Sequence, residues 1–459
     1  MPAAYGPPGS LVAGLDLGST GLKILIADEG GHEILTHQVS TPWRAGEAGT
    51  TDLHGADLDA ALLSLLRTAA TKLDAIQPSG RIGAIAISGM GETGFVLDES
   101  GRPMAPGMAW FDPRGAAEAA ALPASLASEF GGRTGLPLGA QVSIAKLIHL
   151  RDKGIYLTRG RWVNLPEYVV ARLGGAVVAE ISLTARTGLL DQDTLAPWQA
   201  MLEYLGVTRE FVPPIVAAGT CVGHAEAQDV PEAFRGARIA IAGHDHLVAV
   251  GSSGALDPDA YLVSLGTAEV LLRIIDSPMS FGSRMRLAEL LINCVPHTTP
   301  GQYAVVAGVK TGLLMRRALQ MSGISDREGR DALDRAAYEL PLEGSLPAGA
   351  IEISGARNDD GVLRMAVRSD GLTPAEIFNA VLRHGNDEIS RLLHALDQEL
   401  PPATSTVLTG GWARMRSVHR ARAAVLPRLS TSEREQDTAY GAVRCALSLL
   451  DRPVPAPQP

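Results

Sequence analysis

Residues Leu15-Asp16-Leu17-Gly18-Ser19-Thr20-Gly21-Leu22-Lys23, set between the apolar runs Leu11 to Leu15 and Ile24 to Ala27, combine a carboxylate, glycines, hydroxyls and an ammonium in one short segment. A strand that ends at Asp16, turns on Gly18, Ser19 and Thr20 and returns through Lys23 is a hairpin. Backbone N–H groups in such a turn can approach an anion closely. The pattern points to a phosphate grip and to ATP chemistry; the bland alternative is a structural β-turn with a solvated lysine. The chain has no Gly-Lys dipeptide, which excludes a GxxxxGK phosphate loop, and it lacks the HRD and DFG signatures of protein kinases.

Gly243-His244-Asp245-His246 follows the apolar strand Ala237 to Ala242 and precedes a helical run, Leu247 to Val250. Asp245 is then expected at a helix N-terminus, where the dipole favours the ionised carboxylate and keeps it ready to take a proton; an ordinary N-cap aspartate would look the same. Strand side chains alternate faces, so these consecutive His, Asp and His residues do not converge on one ion, and a transition-metal centre is not expected.

Gly89-Met90-Gly91-Glu92-Thr93-Gly94 matches GxGxxG after the strand Ile82 to Ser88. However, Phe95 to Pro103 reads as strand then turn, not as the helix that a dinucleotide site needs, and a dehydrogenase would rest on this segment alone. Glu92, in a glycine-rich loop at a strand end, suits the recognition of substrate hydroxyls or simply faces water. Gly410-Gly411-Trp412-Ala413-Arg414 forms either a turn that lets backbone pass close to an adenine or ribose, or a plain tight turn. Trp110, Asp112 and Arg114 form a polar-aromatic cluster or an ion-paired loop.

The elements that must hold these groups alternate in type. Leu11 to Asp16, Lys23 to Asp28 and His32 to Val39 read as an antiparallel meander, Asp57 to Leu73 as a helix and Ile82 to Ser88 as a buried strand, so the class is α/β. Tyr261 to Leu272 repeats the first hairpin in kind, with Gly266-Thr267 at its turn, which implies two related domains facing one another across a nucleotide cleft. Pro374 to Leu396 and Asp437 to Leu450 read as long helices. At 459 residues the chain exceeds one ordinary core, and the domains are set at 10–245 and 246–455. A net charge of −10 without a Lys/Arg block argues against a nucleic-acid surface, so any phosphate site must be local. Cys221, Cys294 and Cys445 lie far apart with no CxxC spacing, which fits a reducing cytoplasm. Neither a signal peptide nor a membrane span is expected.

Taken in order, these segments resemble the FGGY carbohydrate kinases of the actin, Hsp70 and hexokinase superfold, over nearly the whole chain. Leu15 to Lys23 is similar to that family's first phosphate motif, Ser264 to Val270 to the second, and Ala84 to Asp98 with Ala109 to Arg114 to its substrate loops. Gly135 to Leu138 with Lys146, Thr187-Gly188-Leu189, Gly243-His244-Asp245, Leu408 to Gly411 and Thr438 to Ala442 also fit.

The resemblance implies two ribonuclease H-like domains around a central ATP cleft. It implies cytoplasmic, Mg²⁺-dependent transfer of the ATP γ-phosphate to a hydroxyl of a small ketose, sugar alcohol or related polyhydroxy compound, with homodimerisation a family-level expectation. Asp245 is implied as catalytic base, and Asp16 and Asp245 as the groups near Mg²⁺. Gly18, Ser19, Thr20, Lys23, Gly266 and Thr267 would surround the phosphates, and Gly312, Gly410 and Gly411 the adenosine. Gly91, Glu92, Trp110, Gln141, Asp245 and His246 would meet the acceptor.

The chain also departs from its relatives. Xylulose kinases usually carry Gln-Met-His-Gly where this chain has Met90-Gly91-Glu92-Thr93, and glycerol kinases carry Arg-Glu-Thr, with Gly91 here in place of the arginine. Gln141 replaces an aromatic, His246 an amide and Trp412 a small residue. A nucleotide-binding pseudokinase or switch protein of the same superfold is the alternative expectation.

Overall fold

The computed structural model describes residues 11–253, 257–266, 268–344, 346, 349–357, 364–432 and 437–450. These residues divide into two compact units. Those within Met1–Ser252, Val295–Tyr303 and Gln436–Pro459 make the first, and those within Ser253–Cys294 and Ala304–Glu435 make the second.

The first unit opens with the meander β1 (Leu11–Leu17), β2 (Gly21–Ala27) and β3 (Glu33–Ser40), followed by α1 (Gly55–Ile76), β4 (Ile82–Gly89) and β5 (Gly94–Leu97). It continues through α2 (Ser143–Asp152), α3 (Ile181–Thr184), β6 (Cys221–His224), β7 (Arg238–His244) and α4 (Asp245–Ser253). The main sheet has the order β6-β7-β4-β1-β2-β3, with β4 parallel to both β1 and β7.

In the second unit, β8 (Ala260–Leu265), β9 (Glu269–Ile275), β10 (Ile292–Pro296) as far as Cys294 and β11 (Tyr303–Val309) from Ala304 onward precede α5 (Thr311–Met321) and α6 (Pro374–Asp397). β12 (Ser405–Thr409), α7 (Arg416–Ala423) and β13 (Leu429–Thr431) complete it. Its sheet has the order β10-β11-β9-β8-β12-β13. In each unit the first strand of the hairpin pairs antiparallel with the second and parallel with a later strand, β4 or β12. The likeness of the two hairpins in the sequence is therefore a likeness of sheet order.

Every residue of β1 is buried, as a near-continuous apolar run requires when both sheet faces are covered. Leu11, Ala13, Leu15 and Leu17 share a core with Leu58, Leu62, Leu65 and Leu66 of α1, while Val12 on the other face packs with Ala442, Val443 and Ala446 of the last helix, α8 (Asp437–Leu450). Gly14 lies on that second face, where a Cβ would overlap the carbonyl of Ala439. α8 thus belongs to the first unit, and the single boundary expected between residues 245 and 246 does not describe the division. The reason is tertiary: α8 closes the open face of β1 and β4 from the far end of the sequence. Among the described residues no helix is long and apolar enough to cross a membrane.

Candidate active site

Strand register assembles the first group of side chains. Asp16 of β1 stands opposite Ser88 of β4, and Gly243 of β7 stands opposite the same Ser88 from the other side; the chain then delivers His244 and Asp245, the first residue of α4. Neighbouring strands lie about 4.8 Å apart, so this register brings two carboxylates to one end of one sheet.

Their environments separate them. Burial pushes the Asp16 carboxyl up and the charge on Asp245 pushes it further, while Lys23, with Nζ 3.8 Å from Oδ2, pulls it back; the outcome is about 7. Burial also opposes the charge on Asp245, but the imidazoles of His246 and His244, the His246 N–H at 2.6 Å from Oδ1 and the Arg186 guanidinium outweigh it and hold this carboxyl below its ordinary value. His244 is buried, which pushes it down to about 3, so its ring is neutral; Nδ1 lies 3.4 Å from Asp245 Oδ1 without hydrogen-bond alignment. Asp245 is thus held as the carboxylate, and Asp16 is a carboxyl short of compensating positive charge. Among the described residues no three His, Cys, Asp or Glu side chains gather as a closed ion cage.

The β1–β2 turn is held from one side. Thr41 Oγ1 donates to the Gly18 carbonyl at 2.6 Å and Trp43 Nε1 to the Ser19 carbonyl at 2.7 Å. The Gly18 N–H closes the turn onto Gly21, whereas the N–H groups of Ser19 and Thr20 donate to no described residue, which leaves two successive donors for an anion. The Ser19 hydroxyl is already engaged: it accepts from Trp110 Nε1 at 3.0 Å and donates to Met90 Sδ at 3.7 Å.

Trp110 is 39% exposed and packs edge-on against Phe111. The loop beneath it is tied down by Asp112, which accepts from Thr51 N at 2.6 Å and Arg114 Nε at 2.9 Å, and by Lys146, which donates to the carbonyls of Asp112 and Arg114. Asp112 and Arg114 therefore form an ion-paired loop that supports Trp110.

Glu92 sits at φ +63°, a strained backbone for a residue with a side chain. Its carboxylate accepts from Arg186 Nε at 2.6 Å and is ion-paired with Arg186 Nη2, and its carbonyl accepts from Ser143 Oγ at 2.8 Å. Burial pushes the Glu92 carboxyl up, with Arg186 opposing and Asp245 adding to the rise. A Cβ at Gly91 would come within 2.9 Å of both Arg186 Cγ and His244 Cδ2, so the missing side chain makes room for both. Arg186 was not legible as a site residue: it stands alone between small residues after α3, and only the fold carries it to Glu92. The Gln141 amide lies close to Gly139, where an added Cβ would meet Oε1 at 2.5 Å. Gly94 to Leu97 forms β5, so no helix follows the GxGxxG segment and the dinucleotide reading fails.

In the second unit, Gly266 N–H donates to the Ala268 carbonyl at 3.0 Å and closes the β8–β9 turn; Thr267 lies outside the described residues. The parallel pairing of β8 and β12 brings Gly410 against Leu265. Gly410 has φ +92°, and a Cβ there would lie 2.5 Å from the Leu265 carbonyl oxygen, so only glycine fits. Gly411 opens a short 3₁₀ turn, and Gly312 is buried in the first turn of α5. Glu269, the first residue of β9, is held by Arg422 through two 2.6 Å hydrogen bonds, with Arg422 Nη1 also donating to Asn386 Oδ1 at 2.6 Å. The pair is fully buried and anchors the return strand after the turn to α6 and α7.

The description "FGGY family of carbohydrate kinases, N-terminal domain" matches residues 11–251, more than half of the chain. The chain is 21% identical over 280 residues to a gluconokinase of Bacillus subtilis, covering 59% of this chain and 53% of that protein. It is 28% identical over 290 residues to a rhamnulokinase of Pectobacterium carotovorum, covering 62% and 56%. The chain thus spans about half the length of the curated relatives it matches. Solved structures share the fold over most of both chains. A gluconate kinase from Lactobacillus acidophilus superposes with TM-score 0.82 at 19% identity, over 96% of this chain and 90% of that one. A xylulose kinase from Rhodospirillum rubrum superposes with TM-score 0.80 at 20% identity, over 95% and 90%. With two α/β units of like sheet order, paired carboxylates at a strand end and the family match over residues 11–251, the chain belongs to the FGGY family of carbohydrate kinases.

Proposed function

We propose that the protein is an ATP-dependent kinase that transfers the γ-phosphate to a hydroxyl of a small ketose, sugar alcohol or related polyhydroxy compound, with Asp245 as catalytic base. The observation that carries this reading is the Asp16–Asp245 pair: one carboxyl held ionised at a helix start, the other pushed up to about 7 by burial and by its partner's charge. On this reading the phosphates meet Gly18, Ser19, Thr20 and Lys23 of the first unit and Gly266 and Thr267 of the second. The adenosine meets Gly312, Gly410 and Gly411, and each unit is of the ribonuclease H-like kind.

Asp16 and Asp245 suit Mg²⁺, a hard cation that is held by one or two carboxylates together with substrate phosphates and waters. When bound, Mg²⁺ supplies neutralisation of phosphate charge. The remaining chemistry belongs to the chain. The free N–H groups of the β1–β2 turn and Lys23 orient the phosphates, and Glu92, Arg186 and Trp110 orient the acceptor. Asp245 takes the proton of the attacking hydroxyl as its oxygen bonds to phosphorus and the bond to ADP breaks. Phosphoryl transfer asks mainly for positioning and charge neutralisation, which this set provides.

The test is ADP release by the purified protein in the presence of Mg²⁺, ATP and a panel of pentuloses, hexuloses, tetritols, pentitols and sugar acids. At least one compound should raise release well above the water background. If none does, the assignment loses its support.

A further inference from the structure

We propose that Ser182 and Glu180 are positioning residues for the transfer: they hold the peptide that delivers Asp245 to the site, and they therefore act on turnover and not on substrate binding. The inference rests on the kinase reading and adds to it two residues placed behind the proposed base.

The end of β7 needs such a hold. β6 pairs with β7 from Arg238 to Ala240, so no strand residue pairs with His244 on that edge. On the other edge the register with β4 shifts: Ile241 stands opposite Ile87 and Gly243 opposite Ser88, which makes Ala242 an extra residue. An insertion of this kind bends a strand and re-aims the side chains that follow it. Gly243 then takes φ +114°, a conformation that suits glycine. The aim of Asp245, two residues on, thus depends on backbone that the ladder alone does not fix.

Ser182 and Glu180 fix it. Ser182 Oγ accepts the His244 N–H at 3.0 Å and donates its own proton to Glu180 Oε2 at 2.6 Å. Glu180 Oε2 also accepts from Leu183 N at 3.0 Å, which caps α3, and the Glu180 N–H is held by Glu167 Oε1 at 2.8 Å. An ordinary capping role would end within α3. Here the Ser182 hydroxyl carries it to His244, the neighbour of Asp245. A Cβ on Gly243 would lie 2.8 Å from Ser182 Oγ and would overlap Thr298 Cγ2, so these side chains also close the space behind the shifted strand. Ser182 and Glu180 are fully buried, and Glu180 is ion-paired with no described residue. Burying a carboxyl without a cation is a costly way to cap a helix of four residues. A grip on the peptide before the base gives that carboxyl a task.

The experiment measures kcat and the KM values for acceptor and ATP in Ser182→Ala, Glu180→Ala and Glu180→Gln, and compares Ser182→Ala/Asp245→Asn with Asp245→Asn alone. Ser182→Ala and Glu180→Ala should lower kcat roughly ten- to hundredfold, as a misplacement of about 1 Å does, with both KM values within a few-fold of wild type. Glu180→Gln keeps an oxygen for Ser182 and Leu183 and should bring kcat back to within a few-fold. Because Ser182 acts through Asp245, Ser182→Ala should add little to Asp245→Asn. If the alanine variants fail to fold, Ser182→Cys, which retains a side chain of similar shape and weakens both hydrogen bonds, should show the same fall in kcat. A working kinase overturns this inference and spares the kinase reading if the folded Ser182 variant keeps wild-type kcat, if KM changes as much as kcat, if Glu180→Gln is no better than Glu180→Ala, or if the losses multiply in the double variant. A protein that phosphorylates no acceptor overturns both.

Discussion

Asp16, next to last in β1, and Asp245, which follows β7, lie on either side of β4, and the charge on Asp245 is part of the reason that the Asp16 carboxyl is pushed up to about 7. The folded protein therefore binds a proton at Asp16 more tightly than the unfolded chain does. The stabilisation this gives is full below the ordinary carboxylate value and is lost as pH rises through about 7. A rise of that size corresponds to up to about 4 kcal/mol. Asp16→Asn should consequently raise Tm at pH 8 by several degrees while removing phosphoryl transfer. Thermal melts and ADP release on the same variant check both halves; an unchanged or lowered Tm would contradict the charge argument.

A second pair of buried acids carries the same sign. Burial pushes Glu167 up to about 8 and Glu180 up to about 7 against their hydrogen bonds. Glu167 Oε1 accepts from Glu180 N at 2.8 Å, Glu180 Oε2 accepts from Ser182 Oγ at 2.6 Å, and Ser182 Oγ accepts the His244 N–H at 3.0 Å. Proton binding to both acids favours the folded state, so their contribution declines as pH climbs from about 5 to about 8. The urea midpoint of the ligand-free protein should be higher at pH 6 than at pH 8.5, and Glu167→Gln should flatten the difference. A midpoint that rises over this range is the contrary result.

In the second unit, stability should hinge on Arg422 and Glu269. Removal of one partner strands a fully buried charge, a loss of about 3–5 kcal/mol, so Glu269→Ala should lower the unfolding midpoint of that unit markedly. The double variant Glu269→Leu/Arg422→Met should recover much of it, since neither charge is then left unpaired. Denaturation curves of the two single variants and the double variant measure this coupling. Simple additivity of the losses would show that the pair is not the anchor of the β8–β9 turn.

Gly14 gives a test of how the last helix docks. Gly14→Ala would drive a Cβ into the backbone of α8 at Ala439, and Gly441→Ala would do the same against the Val248 carbonyl of α4. Overpacking of this kind costs about 1–3 kcal/mol. Both variants should melt earlier, with faster proteolysis at the C-terminal helix. Wild-type stability in both would mean that α8 lies elsewhere.

The same contact shows what could and could not be read in advance. The hairpins at Asp16 and Gly266, the strand before Asp245 and the glycine turn at Gly410 were legible because each is a local pattern: an apolar run of strand length, then glycine and hydroxyl residues. The docking of α8 on β1 was not, because it depends on an absent side chain at Gly14 meeting small residues more than four hundred positions away. Arg186 carries no local signal of its own in the sequence. Loop residues are assigned to a site by where the fold takes them, and here it takes Arg186 to Glu92.

The central claim is that Asp245 accepts the proton in an acceptor-dependent transfer from ATP. The most direct measurement is ADP release with the best acceptor by wild type and Asp245→Asn, alongside Mg²⁺-ATP binding by calorimetry. The expected result is ATP affinity within a few-fold of wild type and turnover reduced by roughly 10²–10⁴, the range of a lost general base. Near-normal turnover in Asp245→Asn would contradict it.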